Sequence, residues 1–399
     1  MFARALALLA LLLVTTGCWS RVEVNELAIV TLMAVDQTED GDLAVWLQIA
    51  LPERAGAATG AIGGSDPRQG LPVILLTGKG RTILDAATHI QHHLSRRLFW
   101  AHMRVVLVGE RLAKNSIRPA LDFLTRHREL RLTNYLLVVP GDVAEFVRSL
   151  VDLERLPAEY LREIARQRLG LTVNVGEFAR MMASPGAQAV TAVADVIRPS
   201  ASFLPRQQAL LGIVGAALFQ GDKLVGYLDE HNTQGLLMLR GQDHRGTLTF
   251  QPSESPGSVT IQWWNVRTER KASLTNGEIT IRVRARLEAD ISDSPANLDL
   301  SDPSVIRSLE RQAAELLRQR MKNAMERLRE LNVDAAGFGE LVHRQMPAVW
   351  KRVEEEWLST EARQVRTVFE AEVHIRRTGL SNKPRGVPDE VLEKGGRGE

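Results

Sequence analysis

The clearest alternation of apolar and polar positions runs through EITIRVRARLEADI. Ile279, Ile281, Val283, Ala285, Leu287, Ala289 and Ile291 alternate there with Thr280, Arg282, Arg284, Arg286, Glu288 and Asp290. A period of two places one set on a dry face and the other in water, so the stretch reads as a half-buried strand. Asn276-Gly277 precedes it and is the best hairpin turn in the chain, because a type I′ turn needs positive φ at both central residues. After SDP the period changes. Ile306, Leu309, Ala313, Leu316, Met321, Ala324, Leu328 and Leu331 recur at spacings of three to five, predicting an amphipathic helix from Ser304 to about Leu331. That stripe is expected to pack on the dry face of the strand, with a last strand through VRTVFEAEVHIRR completing an α+β unit over 275–380 built on an antiparallel sheet.

The first half of the chain reads differently. ELAIVTLMAVD, a turn at Glu39 to Gly41, and DLAVWLQIAL form a hairpin, and PVILLTG is a third strand. Thr82 can cap a helix over TILDAATHIQHHLSRRLF, with Asp85 favourable for its dipole. MRVVLVG, a helix around RPALDFLTRH, the strand TNYLLVVP and helices from Asp142 follow, Asp142 and Glu145 having capping-box spacing. Strand and helix alternate, so 18–200 reads as an α/β domain. The composition shifts at IRPSASFLP. Beyond it, 206–274 reads as a small mostly-β unit with a hairpin at Gly221-Asp222 and a short helix HNTQGLLMLRG. The fold class expected is therefore mixed α/β (α+β), three domains in an elongated chain. ERAGAATGAIGGSDPRQGLP reads as a mobile surface loop, and the tail 381–399 as disordered.

Composition refines this picture. Of 399 residues 44% are hydrophobic and 25% charged, a globular balance long enough for two or three domains. Lys+Arg 50 against Asp+Glu 48 leaves a formal +2, so no long-range field calls for nucleic acid. A single cysteine makes no intrachain disulfide and leaves no thiolate set for structural zinc. Its place explains it. MFARALALLALLLVTTGC has Arg4, an apolar run from Ala5 to Val14, and small residues Thr15, Thr16 and Gly17 before Cys18. That is the build of an exported signal peptide over 1–17, too short for a transmembrane helix, which needs roughly 20 apolar residues. Small residues ending in Gly-Cys resemble the bacterial lipobox, so Cys18 is expected to carry lipid and become the new N-terminus. At about 0.8 kcal/mol per buried CH₂, one acyl chain holds marginally and two anchor stably.

Candidate chemistry is sparse. HIQHH sets His89 and His93 four apart with His92 beside them, a spacing able to hold a metal, but no HExxH or acidic cluster completes a site. TGKGRT has glycines around Lys79 without the offset of a phosphate loop. No GxSxG, calcium loop or Rossmann fingerprint occurs. No catalytic, cofactor-binding or metal residue is therefore assigned. RRLFWAHMR mixes Phe99, Trp100 and His102 with three arginines, a composition favoured at interfaces and equally that of a core corner with snorkelling arginines. The adjacent Trp263 and Trp264 must point to opposite faces of a strand, leaving at least one exposed or covered by a neighbour.

GCWSRVEVNELAIVTLMAVD, RRLFWAHMRVVLVGE, RHRELRLTNYLLVV, GAALFQGDKLVGYLDEHNTQGLLML, GFGELVHRQMPAVWKRVEEEW and VHIRRTGL, in this order, resemble the Ger(x)C lipoproteins, the C subunits of bacterial spore germinant receptors. The resemblance runs from Cys18 to Leu380 and departs from the family at Ser20, at Thr15 and in the loop near 55–70. It implies a three-domain lipoprotein, lipidated at Cys18, on the outer face of the spore inner membrane. It also implies assembly with A- and B-type integral membrane subunits, an indirect relation to small-molecule germinants, and no catalytic residues. The other class of function open to such a chain is a free-standing solute-binding lipoprotein, for which two similar lobes around a cleft would be expected; no internal repeat is seen.

Overall fold

The first hairpin forms where alternation placed it. Strands β1 (Leu27–Gln37) and β2 (Leu43–Ala50) pair antiparallel, and β3 (Val73–Gly80) adds to β2. The computed structural model describes residues 23–50, 73–153, 157–197, 210–357 and 365–379. Cys18 and the signal segment, the loop at 53–72, the Pro/Ser shift near 199–205 and the tail 381–399 lie outside the described residues.

Thr82 caps α1 (Ile83–Gln91) as expected, accepting from the Asp85 amide, but the helix stops short of the predicted Phe99. The Gln91 side chain accounts for the stop: its amide donates to Arg96 O (2.9 Å) and its carbonyl accepts from Leu98 N (2.8 Å), drawing the chain into the short strand β4 (Arg97–Phe99) beside β1. Next come β5 (Val105–Gly109), α2 (Glu110–Asn115), α3 (Arg118–Arg126), β6 (Tyr135–Val139), α4 (Val143–Leu153), α5 (Pro157–Gln167), α6 (Val175–Ala183) and β7 (Val190–Ile197). Strands β1, β5, β6 and β7 run parallel. Helices cover both faces, which is why β5 is apolar at every position rather than alternating. Val106 and Val108 meet the side of α1, α2, α3 and α6, while Val105 and Leu107 meet that of α4 and α5.

The segment 206–274, expected as one mostly-β unit, is divided between two sheets. β8 (Leu210–Gln220) pairs with β7 from Val190↔Leu218 to Ile197↔Leu210, and β9 (Lys223–Leu228) pairs with β8, so the hairpin extends the large sheet to nine strands in the order β3-β2-β1-β5-β6-β7-β8-β9, with β4 on β1. The open edge of β7 takes up its backbone donors and acceptors, an attraction invisible in local pattern. Helix α7 (Glu230–Arg240) then leads to β10 (Gly246–Phe250), β11 (Val259–Thr275) and β12 (Glu278–Asp293) of a four-stranded sheet. Asn276 and Gly277 both have positive φ, as the type I′ turn requires.

After β12 come α8 (Pro303–Glu330), α9 (Phe338–Gln345), α10 (Pro347–Val353) and β13 (Arg366–Arg377). β13 runs parallel to β12, not antiparallel as expected for this sheet, because α8 serves as the crossover a parallel pair needs. Ile279 to Ile291 are buried on the dry face, and Arg282, Arg284 and Arg286 pair across the wet face with Glu370 and Glu372. The helical stripe is confirmed with one shift of phase: Leu309, Ala313, Leu317, Met321, Ala324 and Leu328 are buried, whereas Leu316 is 39% exposed. Leu317→Ala therefore lowers the unfolding free energy by about 3 kcal/mol and Leu316→Ala by under about 1 kcal/mol, read as urea midpoints. Equal losses would show that the stripe is misplaced.

Candidate functional site

Where the parallel strands β1, β5 and β6 end, their loops enclose an open cleft of about 820 Å³, the position at which open α/β sheets bind ligands. Asp36, the last acidic position of β1, forms its floor. Its Oδ1 accepts from Leu112 N (2.9 Å) at the start of α2 and from Gln37 N (2.9 Å). Burial pushes its carboxyl above the ordinary carboxylate value, partly offset by those two amides. Glu110 sits opposite, accepting from Gly141 N (3.0 Å) and paired with Lys114 (2.7 Å). Burial works against its charge, yet Lys114 and the Gly141 amide hold it below its usual range. Arg111 reaches Gln37 O (3.3 Å) and Glu39 (3.5 Å), and Lys79 closes the mouth. Among the described residues the lining contains no Ser, Cys or His. Its carboxylates and cations can bind a ligand through charge.

The second polar constellation is buried between the sheets. The Asp334 carboxylate accepts from Phe338 N (3.0 Å), Gly339 N (2.7 Å) and Trp357 Nε1 (2.9 Å). Its backbone exchanges two bonds with Gln188, both 3.0 Å, just ahead of β7. Glu340 N donates to Gly186 O (2.7 Å), and a Cβ on Gly186 would fall 2.5 Å from Glu340 N, so the two chains meet at a distance that excludes side chains. Two arginines close the joint: Arg240 donates to Ala335 O, and Arg270 to Ala336 O (2.8 Å) and Gly337 O (3.0 Å). Burial lowers both guanidinium pKa values, that of Arg270 to about 10, with the Asp334 charge offsetting part of the loss. Asp334 thus ties the small sheet to the large one.

The residues singled out by sequence are placed as follows. Cys18 lies outside the described residues. His89 Nδ1 lies 2.6 Å from Lys79 O, His92 is the residue that ends α1, and no group of His, Cys, Asp or Glu among the described residues could hold a metal. The glycines of TGKGRT serve packing: a Cβ on Gly78 would sit 2.4 Å from Ala86 O and one on Gly80 2.5 Å from Ala86 N, so β3 admits α1 at close range. In RRLFWAHMR, Trp100 is core, edge-on to Phe123 at 5.4 Å, while Arg97 pairs with Glu129. Trp263 is fully buried and Trp264 is 46% exposed at a bulge, so the adjacent pair does face opposite ways. Asp36, Asp243, Asp334, Arg240 and Arg270 were missed. Each is a single charge in an ordinary context, and only the run AAGFG behind Asp334 hinted at a tight, amide-rich turn.

Among the described residues no helix is long and apolar enough to cross a membrane. Two family models match the chain in order: Spore germination protein N-terminal domain over residues 20–196, and Spore germination B3/GerAC like, C-terminal, over 214–379. Spore germination protein KC of Bacillus subtilis (strain 168) is 25% identical over 396 residues, 95% of this chain and 96% of its own. Spore germination protein B3 of the same organism is 23% identical over 361 residues, 87% of this chain and 90% of its own. The crystal structure of the GerBC protein superimposes with a TM-score of 0.55 at 18% identity, covering 86% of this chain and 96% of that one, a likeness of fold.

Proposed function

The chain belongs to the Ger(x)C family of spore germination proteins, and on that premise we propose that it is the lipid-anchored C subunit of a spore germinant receptor. It acts without catalysis, beside A- and B-type integral membrane subunits, on the outer face of the spore inner membrane. One observation carries this reading: the two family models follow each other along the chain and together span both sheets. Support for the anchor comes from the sequence, where Cys18 ends a short apolar signal segment.

The test is the intact mass of the N-terminal peptide from membrane-extracted protein, with germination assayed in parallel. A diacylglyceryl mass on a peptide beginning at Cys18 is expected, absent from Cys18→Ala. Spores carrying that variant are expected to respond to the receptor's nutrient no better than spores lacking the chain. An unmodified peptide, or spores without the chain that germinate normally with every nutrient and retain their A and B subunits, would overturn the reading.

A further inference from the structure

We propose that the amino edge of the large sheet docks on an anionic phospholipid surface through Arg128 and Arg131, which orients the chain on its membrane. The proposal rests on the anchoring reading above for which membrane is met, and the experiment below is independent of lipidation.

β1, β5 and β6 all begin on this edge, since Leu32 pairs with Val105 and Val105 with Tyr135. The chain enters there as well. Glu23 is five residues from Cys18, a reach of at most about 18 Å, so an anchored Cys18 holds this edge near the headgroups.

The loops on the edge are cationic. Residues 92–104 and 126–131 contain six arginines and one acidic residue, Glu129. Arg97 is engaged by Glu129 (3.3 Å), Arg126 by Asp122, and Arg104 lies 4.0 Å from Glu159. Arg128 and Arg131 are exposed and form no ion pair among the described residues. Beside them Leu132 is 49% exposed, and Val24, three residues before β1, is 61% exposed. Apolar side chains among arginines suit an interface of headgroups over hydrocarbon. Glu23 and Glu26 lower the charge next to Val24, which leaves the attraction to the loop before β6. The opposite edge carries an excess of acid: Asp36, Glu39, Asp40, Glu110 and Asp142 line the cleft against Lys79, Arg111 and Lys114, five carboxyls to three cations. The sheet is thus polarised along its strands, and an anionic surface draws the arginine edge and repels the cleft. Acyl chains hold the protein; the polarity turns the cleft away from the bilayer.

The experiment uses the chain from residue 18 with Cys18→Ser and measures co-sedimentation with phosphatidylglycerol vesicles and with phosphatidylcholine vesicles at about 0.1 M salt, where the Debye length is about 10 Å. Preference for phosphatidylglycerol is expected. Each arginine near an anionic surface contributes roughly fivefold in partition, so Arg128→Glu with Arg131→Glu lowers binding by roughly 30-fold or more. Arg307→Glu with Lys322→Glu, on the exposed side of α8, changes net charge equally and is expected to lower binding by less than roughly threefold, as charges beyond a Debye length of the surface are screened. Equal partition onto both vesicles, as an edge built for a protein partner would give, overturns the proposal. So does equal loss from the two variant pairs, which would reduce the effect to net charge.

Discussion

Replacing Asp334 by alanine lowers the unfolding free energy by about 3 to 5 kcal/mol, the range for removing one partner from a buried charged network. The side chain accepts three N–H groups, from Phe338, Gly339 and Trp357, and its negative charge offsets burial of Arg240 and Arg270 more than any other carboxylate does. Alanine leaves the donors unsatisfied and removes the largest negative contribution at both guanidinium groups, leaving Glu340 and, for Arg240, Glu177, and each unmade buried bond costs about 1 to 3 kcal/mol. Asp334→Asn keeps one acceptor but turns an amide NH₂ toward groups that are themselves donors, so its loss is intermediate. The Asp334 backbone is bonded to Gln188 in both directions. Loosening this loop therefore uncouples the two sheets, and urea unfolding of Asp334→Ala, followed by tryptophan fluorescence, is expected to begin earlier and in two steps. A wild-type midpoint in a single step would show that the joint contributes little to holding the sheets together.

The contrast between β12 and Asp334 explains what the sequence could and could not reveal. Ile279 to Ile291 announce their face because a strand's period is short and repeated seven times, and the Asn276-Gly277 turn fixes the partner. The helix after it was legible for the same reason, although its phase slipped at Leu316 because a stripe of spacings three to five leaves two leucines, 316 and 317, as neighbouring candidates. The parallel pairing of β13 was not legible: alternation sets a face, not a direction, and direction followed from the crossover through α8. Strand β7 has no distinct local signal, and β8 and β9 read from sequence as part of a small mostly-β unit over 206–274, because the pairing of Val190–Ile197 with Leu210–Leu218 is decided by an open edge. The polar sites were hidden for a further reason. Burial of one aspartate is a property of its neighbours, and those of Asp334 stand as far away as Trp357 and Gln188. The family resemblance, carried by ordered stretches rather than by any site, needed no such contacts and agrees with the family models at 20–196 and 214–379.

Asp243 makes stability depend on pH in an unusual direction. It lies in the turn after α7, 4% exposed, with Oδ2 accepting from Trp263 Nε1 at 3.2 Å. Burial raises its carboxyl from 3.8 to about 7, against the opposing pull of Trp263, the His244 amide and Arg320. Between those two values the folded chain retains a proton that the unfolded chain has released, so unfolding releases protons and stability declines as pH rises. The contribution is complete below about pH 4 and lost above about pH 7, and three pKa units at 1.36 kcal/mol each make it about 4 kcal/mol. Asp243→Asn keeps an acceptor for Trp263 without the titration. Its urea midpoint is expected to match the wild type near pH 4 and to exceed it by an increasing margin up to pH 8. Other carboxyls, Asp36 among them, titrate in both proteins and cancel in the difference. Parallel midpoint curves for the two proteins would mean that Asp243 is ionised throughout and that its burial is relieved by water. A widening gap would mean that the contact between α7 and the small sheet is held best by a neutral carboxyl and weakens as the surroundings turn alkaline.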